Sequence, residues 1–287
     1  NRLFSKIFVY FILAGMGFVY LYPVLYMIVN SFLSAGDLTD PSVTWIPTEL
    51  CFDNFSTAFE TLDFFKSFGM SMLMSLIPAV LQTAVTAVIA YGLARFHIPF
   101  KKVILVLILI TFLLPTQVML VPRYVLFDTY HLTDTIWAQF LPALFGQGLN
   151  SAIFIFVYYS YFVSYPVVLD EAAEIDGAGK WKIFLKVSLP MAKGAIILSM
   201  LFSFVFYWNE TYLSNTLWGG KIQTLPLKLQ SFTLQYEALY GKEAAGSISE
   251  SVSLAGTLLS ILPLLVMYLI FQRQFVESIE STGITGE

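Results

Sequence analysis

The chain has one cysteine, Cys51, and two histidines, His97 and His131, among its 287 residues. A lone thiol cannot build an intrachain disulfide framework, and so few imidazoles and thiols leave no ligand cluster for a metal. Charge is scarce too. Asp, Glu, Lys and Arg make up 12% of the residues, against roughly 25% in soluble domains. The net charge of −4 comes with no basic patch of the kind that binds nucleic acid. Two catalytic signatures are missing as well, HExxH and GxSxG, and so is the phosphate loop GxxxxGK(S/T). No catalytic or metal site is therefore expected, no internal repeat of 20–50 residues is found, and the chain holds no means of hydrolysing ATP by itself.

What fills the sequence instead is oil. Hydrophobic residues reach 57%, with 27 Phe and 16 Tyr, above the roughly 45–50% of a soluble domain. A membrane-spanning helix takes about 20 mostly apolar residues. Six stretches meet that requirement, over residues 7–29, 67–94, 103–122, 137–163, 194–217 and 252–271. The chain reads as one all-α polytopic membrane domain. Pro23 is expected to kink the first span. The uncharged run from Thr135 to Leu169 is too long for a single simple span, and Gly146–Asn150 should break it.

Arg2 and Lys6 before the first run, with Ser34-Ala35-Gly36 after it, imitate a cleavable signal. The run from Ile7 to Val29 is much longer than the roughly 7–15 residues of a signal core, so a retained first helix is expected. The chain opens on Asn1 rather than methionine, and some residues are expected to precede it.

Lys and Arg in loops set orientation, because they favour the cytoplasmic side. With the N-terminus inside, Arg2, Lys6, Arg95, Lys101, Lys102, Lys180, Lys182, Lys186, Lys193 and Arg273 all fall on the cytoplasmic side. Only Lys66, Arg123, Lys221, Lys228 and Lys242 fall outside. Both termini, including the tail 272–287, are then cytoplasmic. His97 lies in a short cytoplasmic turn and His131 in an external loop, both solvated. Outside the membrane, Asp53–Phe68 spaces Phe55, Phe59, Leu62 and Phe65 as a helix lying on the bilayer surface would. Gly219–Ser251 suits either a solvated connector or a surface for an extracytoplasmic partner.

The densest charge lies in the insert 166–190, PVVLDEAAEIDGAGKWKIFLKVSLP. Such a segment must project into water between spans. Pro166 suits a helix start, and Asp170, Glu171 and Glu174 crowd the positive end of that helix. Gly177 and Gly179 offer positive φ for a turn. A second helix is expected from Lys180 to Ser188, with Trp181, Phe184, Leu185 and Leu189 as its oily stripe, Lys182 and Lys186 facing away, and Pro190 ending it. The residues alone allow either a docking element or an amphipathic loop without a partner.

The spacing Glu171-Ala172-Ala173, three residues, Gly177, nine residues, Val187-Ser188-Leu189-Pro190 resembles the EAA loop of binding-protein-dependent ABC import permeases. Only Val187, in place of Ile, departs from that pattern. The context resembles the carbohydrate branch, specifically its smaller, six-span, maltose-permease-like subunit. Trp208-Asn209-Glu210 in the fifth span, Leu114-Pro115-Thr116-Gln117 through Val121-Pro122, and the tail Phe275-Val276-Glu277 through Gly283-Ile284-Thr285-Gly286 agree with it. The likeness runs from about Ser67 onward. Met70-Ser71 stands where Asn-Ser is often found, so no polar role passes to Met70.

The resemblance implies a type I importer permease fold in a bacterial cell membrane. It implies a second homologous permease as partner in a heterodimer, two ATP-binding subunits that bind ATP and Mg, and an extracytoplasmic solute-binding protein. Glu171, Ala172, Ala173, Asp176, Gly177 and Gly179 would dock one ATPase, whose closure would rock the helices between inward-open and outward-open states. The cargo it implies is a di- or oligosaccharide.

Sugars show hydroxyls and apolar ring faces, so Trp208, Asn209, Glu210, Tyr212, Gln82 and Gln117 are candidates for the solute pathway. Glu210 is the only charged residue well inside a span, at a cost of about 2.5–3.5 kcal/mol on insertion scales, so it should face protein or a wet cavity. Tyr207 and Asn150 lie close by in kind. The opposing reading is a brace of interhelical hydrogen bonds and interfacial aromatics. A non-sugar cargo such as an amino acid or polyamine stays open, as does a stand-alone carrier driven by an ion gradient.

Overall fold

The computed structural model describes residues 2–43, 45–241 and 250–283, with the side chains of 2, 3, 5 and 275–283 left aside. Among the described residues there are helices and no strand. In chain order they are α1 (Arg2–Asn30), α2 (Ala35–Thr39), α3 (Asp53–Thr61), α4 (Phe64–Arg95), α5 (Lys101–Leu113), α6 (Thr116–Thr129), α7 (Trp137–Leu144), α8 (Ser151–Ser164), α9 (Val168–Ile175), α10 (Lys180–Ile183), a π turn (Phe184–Ser188), α11 (Leu189–Met191), α12 (Lys193–Asn209), α13 (Tyr212–Trp218), α14 (Leu225–Gln230), α15 (Phe232–Tyr240) and α16 (Glu250–Gly283).

Three helices are continuous, long and apolar enough to cross a bilayer: Lys6–Asn30, Phe64–Arg95 and Glu250–Gln274. Pro23, Pro78 and Pro263 lie inside α1, α4 and α16 without ending them. Three further apolar stretches are bent pairs: α5 with α6 at 99°, α8 with α9 at 73°, and the segment Lys180–Met191 with α12 at 79°. By length and composition the described residues thus hold three spans, or six when each bent pair is counted once. No residue in the apolar window of α1 is buried, and α5 buries none either. Contiguous apolar surface on that scale belongs in hydrocarbon or against another membrane chain, since water would drive it to aggregate.

Several boundaries differ from the sequence reading. The sequence predicts one span over 103–122, yet helix geometry stops at Leu114 (ψ 122°), because the residue before a proline is pushed into the extended region and Pro115 follows. The stretch 194–217 is also divided, at Glu210, an extended residue (ψ 110°) between α12 and α13, here with no proline involved. The surface helix expected over Asp53–Phe68 is α3 followed by the start of α4. The break comes at Asp63, whose φ is +46°. Between α7 and α8 the chain leaves helical geometry at Gly146 (φ +71°) and Asn150 (φ +55°).

The chain forms two compact units. One comprises Asn1–Ser67 and Leu227–Leu265. In it, Asn54 Nδ2 donates to the carbonyls of Ser31 (3.0 Å) and Leu33 (2.9 Å), tying α3 to the loop after α1. Tyr240 Oη donates to Glu60 Oε2 at 2.7 Å, and that carboxylate pushes the phenol pKa up to about 12. Residues 242–249, part of the expected external surface, and 284–287, the last part of the tail, lie outside the described residues.

The other unit comprises Phe68–Pro226 and Val266–Glu287. Its core is a cluster of Ala87, Ala90, Tyr91, Leu93, Ile155, Tyr158, Phe162, Tyr165, Phe184, Ala192 and Ala195, which joins α4, α8, the π turn and the start of α12. The alanines of α4 let aromatic rings approach. Tyr91 meets Phe162 edge-on at 5.5 Å and lies 4.9 Å from Phe184. Rings in such tilted arrangements add to the burial energy.

Candidate functional site

Two features of the second unit carry polar chemistry. The first is the insert. α9 leaves α8 at 73° and the segment ending in α11 meets α12 at 79°, so the insert lies across the ends of both helices. α9 ends in a Schellman motif: Ala178 N–H donates to Ala173 O and Gly177 N–H to Glu174 O, each at 2.9 Å, with Gly177 at φ +77°. Gly179, by contrast, is extended (φ −71°, ψ 159°) and caps α10, so only one of the two glycines needs left-handed geometry. Lys180 Nζ donates to Glu174 Oε1 across the turn, which raises the lysine pKa. Both groups lie in water, so this pair adds little stability.

Along α9 only Asp170 is buried. Glu171, Ala172, Asp176, Gly177 and Gly179 are exposed and Ala173 is half-buried, so five of the six residues expected at a dock stand open on this element. The oily stripe of the second helix was misread. Ile183 and Phe184 are buried (0% and 3% exposed), whereas Trp181 and Leu185 stand out at 66% and 55%. Ordinary helical winding centres the buried face on Ile183, Phe184 and Ser188, and at about 100° per residue Trp181 and Leu185 fall well to either side of it. Nor does Pro190 end the helix. It occupies the first turn of α11, where a missing N–H costs nothing, and the break follows at Ala192.

The second feature is a cavity of about 780 Å³ walled by α5, α6, α8, α12 and the loop 146–150. Leu107, Ile108, Phe112 and Phe206 give it apolar walls, while Arg123, Gln147, Asn150, Asn209 and Glu210 supply polar groups. Its size and its mix of apolar wall and few polar groups suit a small-molecule site. The break in the fifth apolar stretch points into it. Glu210 Oε1 accepts from Leu213 N–H at 2.6 Å, capping α13, and its carboxylate lines the cavity. Asn209 is exposed at the same wall.

The other candidates lie elsewhere. Trp208 is 2% exposed and packs edge-on to Phe68 at 6.3 Å, away from the cavity. Gln82 is fully buried in a knot, donating to Leu149 O (2.7 Å) and Ser203 Oγ (3.3 Å) and accepting from the Tyr207 hydroxyl. Tyr207 in turn accepts from Leu149 N–H at 3.2 Å. Tyr212 and Gln117 are exposed and line neither this cavity nor the small cleft beside Trp218. Sequence reasoning passed over Arg123 and Gln147, which meet at 3.4 Å through the Arg123 Nη2 and the Gln147 carbonyl. An arginine directly after Pro122 was the available signal, and it was read only as a loop charge.

An all-helical membrane subunit, with a polar insert across its helix ends and a helix break opening on a polar cavity, is a solute permease of the type I importer fold. Residues 84–279 match the binding-protein-dependent transport system inner membrane components, and the chain belongs to that family. It is similar to the arabinooligosaccharides transport system permease protein AraQ of Halalkalibacterium halodurans, 26% identical over 95% of this chain and 94% of that one. A probable starch degradation products transport system permease protein, AmyC of Thermoanaerobacterium thermosulfurigenes, is 26% identical over 92% of this chain and 91% of its own. Among solved structures, a bacterial ABC transporter involved in the import of the acidic polysaccharide alginate superposes with a TM-score of 0.79 at 23% identity, covering 96% of this chain and 97% of that one. The protein is thus a multi-pass membrane permease subunit of a binding-protein-dependent importer.

Proposed function

We propose that this permease admits a di- or oligosaccharide and that its insert is the point where ATP-driven motion enters. The single observation behind the second half is the exposure of α9: every residue but Asp170 offers its side chain to a partner rather than to the core, apart from half-buried Ala173. A helix with so little holding it down has its surface free for a groove on an ATPase. Two such ATP-binding subunits would carry ATP and Mg, since this sequence holds no GxxxxGK(S/T) phosphate loop. A second homologous permease would cover apolar α1 and α5, forming a heterodimer. A solute-binding protein would meet the loops after α1 and α13 from outside, with both termini and the insert in the cytoplasm.

The sugar assignment is supported by the names of the relatives and by the cavity, which pairs Phe112 and Phe206 with amide and carboxylate groups. Uptake of a radiolabelled panel tests it. Deleting this subunit should abolish uptake of one di- or oligosaccharide, and unchanged uptake across a broad sugar panel would reject the cargo class in favour of an amino acid or polyamine. Uptake driven by an ion gradient without any ATPase would instead point to a stand-alone carrier.

Glu210→Gln separates contact from bracing. The amide oxygen can still cap α13, so assembly should persist while the charge at the cavity is lost. We expect KM for the solute to rise about fivefold to tenfold, the effect of replacing a charged hydrogen bond of about 1.5–3 kcal/mol by a neutral one of about 0.5–1.5 kcal/mol. Loss of assembly without change in solute preference would show a brace.

A further inference from the structure

Asp170 is the one buried side chain of α9, and its partners come from three other places in the chain. Its Oδ2 lies 3.2 Å from Arg95 Nε, at the last residue of α4, and both side chains are about nine-tenths buried. Its Oδ1 accepts the hydroxyl proton of Tyr165, the hinge residue between α8 and α9. Ser188, closing the π turn, places its hydroxyl 2.8 Å from the Tyr165 oxygen and 3.4 Å from Asp170 Oδ1. Because the single tyrosine proton goes to the carboxylate, the serine proton goes to the tyrosine. Arg95 completes the ring by donating from Nη2 to Tyr165 O at 2.9 Å and stacking 3.9 Å over the Tyr165 ring.

A buried ion pair is a poor way to gain stability, since well-packed apolar side chains of equal volume hold at least as well. What the cluster supplies is one register. Arg95 Nε faces the carboxylate as an ion contact without hydrogen-bond alignment. The directional bonds run through Tyr165, which donates to Asp170 and accepts from Arg95 Nη2, and so does not slide as apolar contacts do. Phe184 already seats the second half of the insert in the aromatic core, with Ile183 buried next to it in the chain. In the first half, Asp170 is the one buried side chain of α9, beside half-buried Ala173 and the solvated Glu174–Lys180 pair. Arg95 then ends an uninterrupted 32-residue helix, about 48 Å long. Thirteen residues back along it, Gln82 grips the Leu149 carbonyl and the Tyr207 hydroxyl, and Leu149 lines the cavity.

We propose that Asp170 is a positioning residue that passes displacement of α9 to α4 through Arg95, and so to the cavity wall at Leu149. This rests on the docking reading above. The test uses the importer assembled with its partner subunits in proteoliposomes, scoring both co-purification of the ATPase subunits and solute moved per ATP hydrolysed. Asp170→Asn should keep the ATPase subunits bound and lower the transport ratio about tenfold, and Tyr165→Phe, which keeps shape and removes one hydroxyl, should lower it about threefold. Arg95→Lys, which keeps the charge, should stay nearer wild type than Arg95→Gln.

An unchanged ratio in Asp170→Asn would overturn the proposal, as would loss of the folded subunit in both Asp170→Asn and Tyr165→Phe, the mark of a merely structural pair. Failure of the docking reading has its own signature. Glu171→Arg and Ala172→Trp on the exposed face would then leave ATPase capture intact, and the proposal would fall with the reading it rests on.

Discussion

Gly177→Pro is expected to abolish solute-stimulated ATP hydrolysis in the assembled importer while leaving membrane insertion intact. Three penalties meet at this position. Proline holds φ near −65°, whereas Gly177 is at +77°. It also removes the N–H that donates to Glu174 O in the Schellman motif. Finally, it disfavours the near-helical geometry of the residue before it, and Asp176 has φ −72° and ψ 5°. Together these cost about 3 kcal/mol or more, and since 1.4 kcal/mol is tenfold, the turn would be populated at least about a hundredfold less. Milder variants separate conformation from crowding. A Cβ at Gly177 meets nothing within 4 Å in this chain, so Gly177→Ala should lose only the left-handed cost of about 1–2 kcal/mol. Asn tolerates that region better. Gly177→Asn should therefore outperform Gly177→Ala if the turn alone matters, and fall below it if a partner packs against the glycine. Normal coupling in Gly177→Pro would sink the idea that force enters here.

Much of this turn is legible in the sequence. Acidic residues at the start of α9, alanines in its middle and a glycine at its end are local signals, each with a local physical cause. The continuous helices α1, α4 and α16 were legible for the same reason, because an uncharged run of sufficient length has few other uses. What escaped were choices made by tertiary packing. Pro23, Pro78 and Pro263 sit inside helices while Pro115 breaks one, and nothing in their immediate neighbours distinguishes them. In the insert's second helix the buried face is centred on Ile183 and Phe184 and leaves Trp181 and Leu185 outside, because a run this rich in apolar residues does not say which side meets the core. Arg95 and Asp170 looked like ordinary loop charges, lying 75 positions apart in the numbering. Only the fold reveals that they are a buried pair. Among the pathway candidates, Glu210 and Asn209 stand at the cavity, whereas Trp208 and Gln82 are engaged in packing. A polar residue within an apolar run signals that it needs a partner, but not which one.

The Gln82 knot carries the second large expectation: Gly148→Ala should lower the thermal midpoint of the assembled subunit by about 10 °C. The reason is the opposite of that at Gly177. Gly148 has no left-handed φ to defend, but a Cβ built on it would lie 2.2 Å from Gln82 Oε1, 2.2 Å from Tyr207 Oη and 3.1 Å from the Ala143 Cα. Neither polar atom can retreat cheaply, because both are buried and bonded to each other, and the third neighbour is backbone. Overpacking costs about 1–3 kcal/mol, and parting two buried hydrogen-bond partners about 1–3 more, for roughly 3–5 kcal/mol in all. A second substitution separates this cause from a general intolerance of the loop. In a Gln82→Ala background one of the two offending oxygens is gone and the other, on Tyr207, has lost the buried acceptor that held it in place. Gly148→Ala should then cost less than half of what it costs in the wild-type chain, a coupling measurable by double-mutant cycle. Strictly additive costs would show that the glycine is required for some reason other than the close approach of α4 and α12 at this point. Because Gly148 and Leu149 also line the cavity, a loosened knot would widen the wall that Glu210 faces. The destabilised variant should therefore discriminate less well between solutes even at temperatures where it remains folded.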